Sequence, residues 1–289
     1  MSEIILVTGA TGKIGSHVVK QLEAAGARVR AAVHSTNRAS AMRANGTEQV
    51  EVELADRRSV AAALEGVAKL FVLLPLVPNL ADLAGNVVEE AKKAGVKYII
   101  HSSGMGADAP QPITLASWHR QAEEALRGSG IPHTILRPNS FMQNYVHFAG
   151  ATIRSQNAFY LPCGDGRVSL VDVRDIAAVA ASLLTKGGHE GRAYNVTGPE
   201  ALSNYEVASI FSDVLGRGIA YVDVSEGQAR HGMTDAGLPG WLVTVLLELY
   251  ALQKAGYGAE VSSAVELITG RRPINFESFV RDHADAFTA

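Results

Sequence analysis

Through about the first 140 residues, short apolar runs alternate with segments whose apolar positions recur every three to four residues. Ile4 to Val7 predicts a buried strand, and the helix after it sets Ile14, Val18 and Leu22 on one face. Arg28 to Val33 predicts a second strand, then a small helix from Asn37 to about Ala44. Val50 to Leu54 predicts a third strand, before a helix carrying Val60, Leu64 and Val67. Lys69 to Leu74 and Lys97 to His101 follow as strands, with helices from about Asn79 to Ala94 and from about Leu115 to Arg127. Thr134 to Leu136 is the sixth strand. Strands this uniformly apolar belong in a parallel sheet covered on both faces, and right-handed crossovers make that sheet doubly wound.

After Pro138 the rhythm changes. Asp172 to Asp175 opens a helix carrying Ile176, Val179 and Leu183, Ala193 to Val196 reads as a strand, and Asn204 to Leu215 as a helix. From Gly227 onward the pattern is mostly helical with glycine interruptions. No linker, repeat or low-complexity stretch separates the parts. The expected division is a dinucleotide-binding region over residues 1–145, with the remaining sheet elements and a small helical lobe over 146–289. That lobe is expected to cap the sheet's carboxyl edge and not to be an independent domain.

Composition narrows the partners. The 289 residues are 47 % hydrophobic and 19 % charged, with a formal charge of −3, so a basic face for nucleic acid or an anionic membrane is not expected. One cysteine, Cys163, excludes an intramolecular disulfide and a cysteine-rich metal site, and the histidines show no metal-ligand spacing. The start of the chain lacks a leader pattern, and no apolar stretch approaches the roughly 20 residues that span a bilayer. A soluble, cytoplasmic protein is expected. Oligomeric state, monomer or homodimer, is left open.

The strongest local signal is Thr8-Gly9-Ala10-Thr11-Gly12-Lys13-Ile14-Gly15, which follows the first strand and opens an amphipathic helix. Gly9 permits a tight turn, Gly12 lets backbone approach a pyrophosphate, and Gly15 lets the helix pack close to the strand. A diphosphate would sit on the free N–H groups at the positive end of that helix. No acid occurs between Glu23 and Glu48, where an NAD-specific site places one at the end of the second strand. His34-Ser35-Thr36-Asn37-Arg38 stands there, with Arg38 able to meet a 2′-phosphate bidentately. NADP(H) is therefore the favoured cofactor, with NAD(H) use left open. The competing reading has His34 and Arg38 on a merely solvated surface.

The Thr-Gly-x-x-Gly-x-x-Gly turn resembles the extended and atypical short-chain dehydrogenase/reductase families. The resemblance narrows to their NmrA-like branch over essentially the whole chain. It rests also on His119 with Glu123 and Leu126, Ser129 to Pro138, Phe141-Met142-Gln143-Asn144, Val171 to Ala177, and Thr269-Gly270-Arg271-Arg272-Pro273. It implies a Rossmann sheet and cofactor contacts from Glu53 and Leu54 near the adenine and from Leu73-Leu74-Pro75 along a ribose. Pro138, Asn139 and Phe141 would bring backbone to the nicotinamide carboxamide. The family's Tyr-x-x-x-Lys pair falls on Leu115 and His119, so the usual phenolic acid is missing.

Two functions survive. One is hydride transfer to acceptors needing little protonation by the enzyme, such as quinones, azo compounds, triphenylmethane dyes or iminium ions. The other is a cofactor-sensing regulator that acts through a protein partner without turnover. In the first, His119 contacts the cofactor or donates a proton, and Ser102 or Ser103 polarises the substrate. Phe141, Met142, Tyr145 and Trp241 are the candidate wall against an aromatic or cyclic acceptor, with plain core packing as the alternative.

Overall fold

Seven strands form one sheet in the computed structural model, which describes residues 3–34 and 47–288. They are β1 (Ile4–Val7), β2 (Arg28–Val33), β3 (Glu48–Glu51), β4 (Val67–Leu73), β5 (Tyr98–Ser102), β6 (His133–Pro138) and β9 (Ala193–Val196). Their order is β3-β2-β1-β4-β5-β6-β9, and the pairings from β3 through β6 are parallel. This is the doubly wound Rossmann order with one strand added beyond β6. The direction of winding reverses between β1 and β4, and in such sheets ligands sit at the carboxyl ends of the strands flanking that reversal.

Burial explains the strands' composition. Every residue of β1 and β5 is buried, so neither has a polar face to show. On one side lie α2 (Arg57–Ala63), α3 (Leu80–Lys93) and α4 (Thr114–Gly128). Val60, Val87, Val88 and Leu126 from these helices join Ile4, Leu6, Leu70, Val72, Ile99 and Ile135 of the strands in one core cluster. On the other side α1 (Gly15–Ala24) packs along α5 (Val173–Lys186), where Gln21 Nε2 donates to the Arg174 carbonyl at 3.2 Å. The third strand is displaced from its expected span, Val50 to Leu54. β2 ends at Val33 opposite Glu51, so residues 53 and 54 have no neighbouring strand to pair with. The small helix expected from Asn37 to Ala44 lies outside the described residues.

The chain divides into two compact units. The sheet and its helices make up the first, which includes Ala116–Pro138 and Val173–Asn195. The second comprises Ile113–Leu115, Asn139–Asp172 and Val196–Ala289. Its core is aromatic: Tyr145 meets Phe159 and Phe276 edge-on at 5.5 and 5.3 Å, and Phe211 meets Phe276 at 5.4 Å. Two small sheets went unread in the sequence. β7 (Ala158–Leu161) pairs in parallel with β11 (Ala220–Asp223), and β8 (Arg167–Val168) pairs antiparallel with β10 (Leu202–Ser203). Their segments are two to four residues long and pair across wide sequence gaps, so no local periodicity announces them.

The turn after β1 is closed by backbone. Gly9 adopts φ +61°, and a β-carbon at Gly15 would stand 2.2 Å from the Gly9 carbonyl oxygen. At Gly12 the same construction leaves 3.1 Å, which a small shift absorbs. Gly15→Ala should therefore lower stability by about 1–3 kcal/mol, the scale of forced overpacking, while Gly12→Ala stays near neutral. Urea midpoints of the two variants check this. Equal midpoints would mean that helix and turn do not need this approach.

Candidate active site

The end of β1 is stitched to the end of β4 by Thr8. Its Oγ1 donates to the Leu73 carbonyl at 2.9 Å and accepts from the Leu73 N–H at 2.7 Å. The glycine turn stands beside that stitch. The Gly12 N–H bonds the Gly9 carbonyl at 2.9 Å, and Ser16 closes back onto Gly12 at 3.1 Å. Among the described residues, no backbone carbonyl accepts from the N–H of Thr11, Ile14 or Gly15, and α1 has no side-chain N-cap. Gly9, Thr11, Gly12 and Lys13 are exposed, whereas Ile14 is buried and offers a ligand only its backbone. This free first turn fits the diphosphate of a dinucleotide.

The neighbouring strand ends carry the other expected contacts. His34, fully outside the core at the end of β2, places Nε2 3.8 Å from the Glu53 carboxylate. Glu53 also turns Oε1 onto the Ala55 N–H at 3.1 Å. An acid therefore stands beside the imidazole expected to meet a 2′-phosphate. Leu54 and Leu74 are half-buried against the core of the first unit, Leu73 is half-buried beside Gly9, and Pro75 is exposed. Arg38 lies outside the described residues.

Alternation along β5 turns Ile99, His101 and Ser103 toward α4, where a polar cluster gathers around Glu123. The Glu123 carboxylate is 1 % exposed. It accepts from Ser103 Oγ at 2.7 Å, from Arg137 Nε and an Arg137 terminal nitrogen at 2.8 and 2.7 Å, and from Arg127 at 3.0 Å. Arg137 also pairs with Asp108 on the loop after β5. Burial alone would raise the Glu123 pKa, but the hydrogen bonds from Arg137 and Ser103 and the charges of Arg137 and Arg127 outweigh it and hold the carboxyl below its usual range. The Ser103 hydroxyl hydrogen is thus taken by Glu123, which leaves Ser102, buried at the strand end, as the hydroxyl with no such engagement.

His119 lies one helical turn before Glu123. Its ring packs on Gly104, where a β-carbon would come within 3.0 Å of Cδ2 and 3.3 Å of Nε2. Burial pulls its pKa down to about 4 against the opposing pull of Glu123, and burial takes His101 down to about 3. Both imidazoles are therefore neutral at pH 7. Arg137 and Asp108 were not singled out as site residues from the sequence, whereas the sequence reads His101 with Ser102 and Ser103 as ending the fifth strand at the carboxyl edge where ligands bind in such sheets.

The remaining expected residues are placed as follows. Pro138 is buried at the end of β6, and its carbonyl accepts from the Met105 N–H at 3.0 Å. Asn139, in the second unit, donates through Nδ2 to Ser169 Oγ at 2.8 Å and to the Gly258 carbonyl at 2.9 Å. Phe141 bridges to Val171 and keeps partial exposure, as does Trp241 in the first turn of the helix Gly240–Lys254. Met142 and Tyr145, expected at a substrate wall, are built into the aromatic core, 1 % and 8 % exposed, and the Tyr145 hydroxyl donates to Asn204 at 2.7 Å. Core packing accounts for both side chains. No group of three or more metal-ligating side chains occurs among the described residues, nor is any helix long and apolar enough to cross a membrane.

The lowered histidine values carry a stability consequence. Between pH 6.5 and about 4 the unfolded chain protonates His119 while the folded chain does not, so stability is present above pH 6.5 and drains away as pH falls through this window. One such group contributes a slope of up to about 1.4 kcal/mol per pH unit. His119→Gln should flatten the fall of urea-derived stability from pH 6.5 to 4.5. An unchanged slope would mean that the ring titrates normally in the fold.

Comparison with known proteins finds relatives over the full length of the chain. The chain is 42 % identical over 286 residues to an NAD(P)H azoreductase of Xenophilus azovorans, covering 99 % of this chain and 100 % of the relative. Among solved structures it resembles an NADPH-dependent quinone oxidoreductase of Escherichia coli complexed with NADPH. The TM-score is 0.89 and the identity 29 %, over 97 % of this chain and 99 % of that one. A triphenylmethane reductase of Citrobacter sp. complexed with NADP(H) matches with a TM-score of 0.86 and 28 % identity, over 98 % and 99 % of the two chains. The model of the NmrA-like family matches residues 1–266, and the chain belongs to that family.

Proposed function

We infer that this protein is an NAD(P)H-dependent oxidoreductase that transfers hydride to a small electrophilic organic acceptor. The observation that carries the reading is the free first turn of α1. Its N–H groups at Thr11, Ile14 and Gly15 and its open glycine backbone stand at the carboxyl end of β1, beside the winding reversal. The full-length relationship to one named reductase, and a match to another over 85 % of the chain, support turnover over the rival reading of a cofactor sensor acting through a protein partner.

NADP(H) supplies the hydride when bound. The residues of this chain bind, orient and limit. The turn from Gly9 to Gly15 holds the diphosphate, and His34 with Arg38 reads the adenosine ribose and its 2′-phosphate. Glu53 beside His34 disfavours a second negative charge there, which is consistent with use of NAD(H) as well. His119, neutral at working pH, hydrogen-bonds without delivering the proton of an imidazolium. With Leu115 where the family's phenol would stand, no strong acid faces the acceptor from α4. That fits acceptors whose reduction needs no enzyme-borne acid: cationic triphenylmethane dyes, iminium ions, quinones and electrophilic azo compounds. A flat aromatic or cyclic molecule is the expected substrate, and a cytoplasmic monomer or homodimer the expected form.

Arg38→Ala should weaken NADPH binding by about 1.5–3 kcal/mol, the scale of a charge-assisted contact, and leave NADH nearly untouched. Fluorescence titration with both cofactors measures this. Equal losses would show that Arg38 does not read the 2′-phosphate.

Acceptor choice tests the activity itself. NADPH oxidation, followed by absorbance, should proceed with at least one of a quinone, an azo dye, a triphenylmethane dye and a cyclic iminium salt. It should be poor or absent with unactivated ketones, whose alkoxide requires a proton in the transition state. Brisk reduction of a simple ketone would mean that a competent acid exists elsewhere in the protein. Tight NADPH binding with no turnover of any acceptor would favour the sensor.

A further inference from the structure

Glycine stands at position 104 for a reason other than backbone conformation. The nearby Gly106 needs its φ of +89° and has open space around it, whereas the φ of Gly104 is not positive. A side chain at 104 would meet one group. The three atoms nearest to its β-carbon are Cδ2, Nε2 and Cγ of His119, at 3.0, 3.3 and 3.7 Å. The ring edge that carries Nε2 therefore faces Gly104. The other nitrogen, Nδ1, is sealed in the interior, so Nε2 is the one that a ligand can reach. The chain on either side of Gly104 cannot retreat from the ring. The Ser103 N–H donates to the Leu136 carbonyl at 2.7 Å and its hydroxyl to Glu123 at 2.7 Å, while the Met105 N–H donates to the Pro138 carbonyl at 3.0 Å. On α4, Arg120 next to His119 donates to the Ala107 carbonyl at 2.7 Å. Loop and helix are thus fixed to one another around this contact, and the torsions of the His119 ring are the soft element.

We propose that Gly104 is a positioning residue of the site: its missing side chain keeps the Nε2 edge of His119 open, so that the imidazole meets a ribose hydroxyl of the bound cofactor. At 3.3 Å from Nε2, a β-carbon would crowd the space of a hydrogen-bonded ligand oxygen or turn the ring away from it. A neutral imidazole presents either a donor or an acceptor at Nε2, and a hydroxyl can answer both. Ser103 and Gly104 then divide the work at the end of β5. The first ties the strand to Glu123, and the second leaves room for the residue one helical turn before Glu123. The ligand contact rests on the reading of the site as a nicotinamide-nucleotide site, but the ring's need for Gly104 is a property of the protein alone.

The test is a double-variant cycle on the full-length protein, read by fluorescence titration with NADPH. Gly104→Ala should raise the Kd about fivefold, the scale of one lost hydrogen bond, and His119→Ala should raise it by a similar factor. In the His119→Ala background, Gly104→Ala should have no further effect, because the added methyl has no ring to displace. A fivefold loss that persists without the imidazole would overturn the proposal, since Gly104 would then act on the cofactor by another route. So would an unchanged Kd in Gly104→Ala. Urea midpoints of the same four proteins give a second readout. Gly104→Ala should lower the midpoint of the wild type and leave that of His119→Ala unmoved, and an equal lowering in both would count against the proposal. Tight wild-type binding of NADPH with no response to Gly104→Ala would sink this inference alone. A wild-type protein that binds no NADPH would sink the functional reading, and the midpoints would then still decide whether the ring needs Gly104.

Discussion

The site depends on one buried carboxylate. Glu123, held in the interior by α4, would be untenable as an isolated charge, and it is kept by four donors that come from different parts of the first unit. Because Arg137 belongs to β6, Ser103 follows β5, and Arg127 lies a turn further along α4, satisfying Glu123 fixes the helix against two strands. Asp108 then takes the remaining face of Arg137 and brings in the loop after β5. Gly104, on which the His119 ring rests, sits in that loop. Removing Glu123 would strand Arg137, so the cluster acts as a unit, and its members are not interchangeable with apolar residues one at a time.

Around that anchor the charges are arranged so that the imidazoles carry none. Burial outweighs the attraction of Glu123 for a proton on His119, and His101 is deeper still. The resemblance aligns Leu115 with the family's phenol and His119 with its lysine, and the ring at His119 is neutral at pH 7. On the proposed function, a neutral ring there suits acceptors that do not wait for a proton. Electrostatics at the other end is mixed, since Glu53 stands beside His34 where a 2′-phosphate is expected.

The second unit is held by different physics. Its centre is a set of edge-to-face aromatic contacts around Tyr145, Phe211 and Phe276, with the Tyr145 hydroxyl satisfied by Asn204. This is why aromatic residues that read equally well as pocket or core from their spacing divide as they do. Met142 and Tyr145 fall inside, while Phe141 and Trp241 retain exposed surface.

What the chain's order of residues determined was everything governed by local periodicity and local turn chemistry. The six strands of the first half, their helices and the glycine turn were legible because unbroken apolar runs, 3.6-residue spacing and glycine positions each act within a few residues. The family and the cofactor class followed from the same short segments. The strand order, the two small sheets of the second unit and the partners of each polar group were decided by tertiary structure. Glu123 and Arg137 are 14 residues apart and Ser103 is 20 from Glu123, so no window along the chain shows that they share one buried cluster. The same holds for the state of His119. Its identity was plain in the sequence, but desolvation depends on what packs around the ring, and only the fold supplies that.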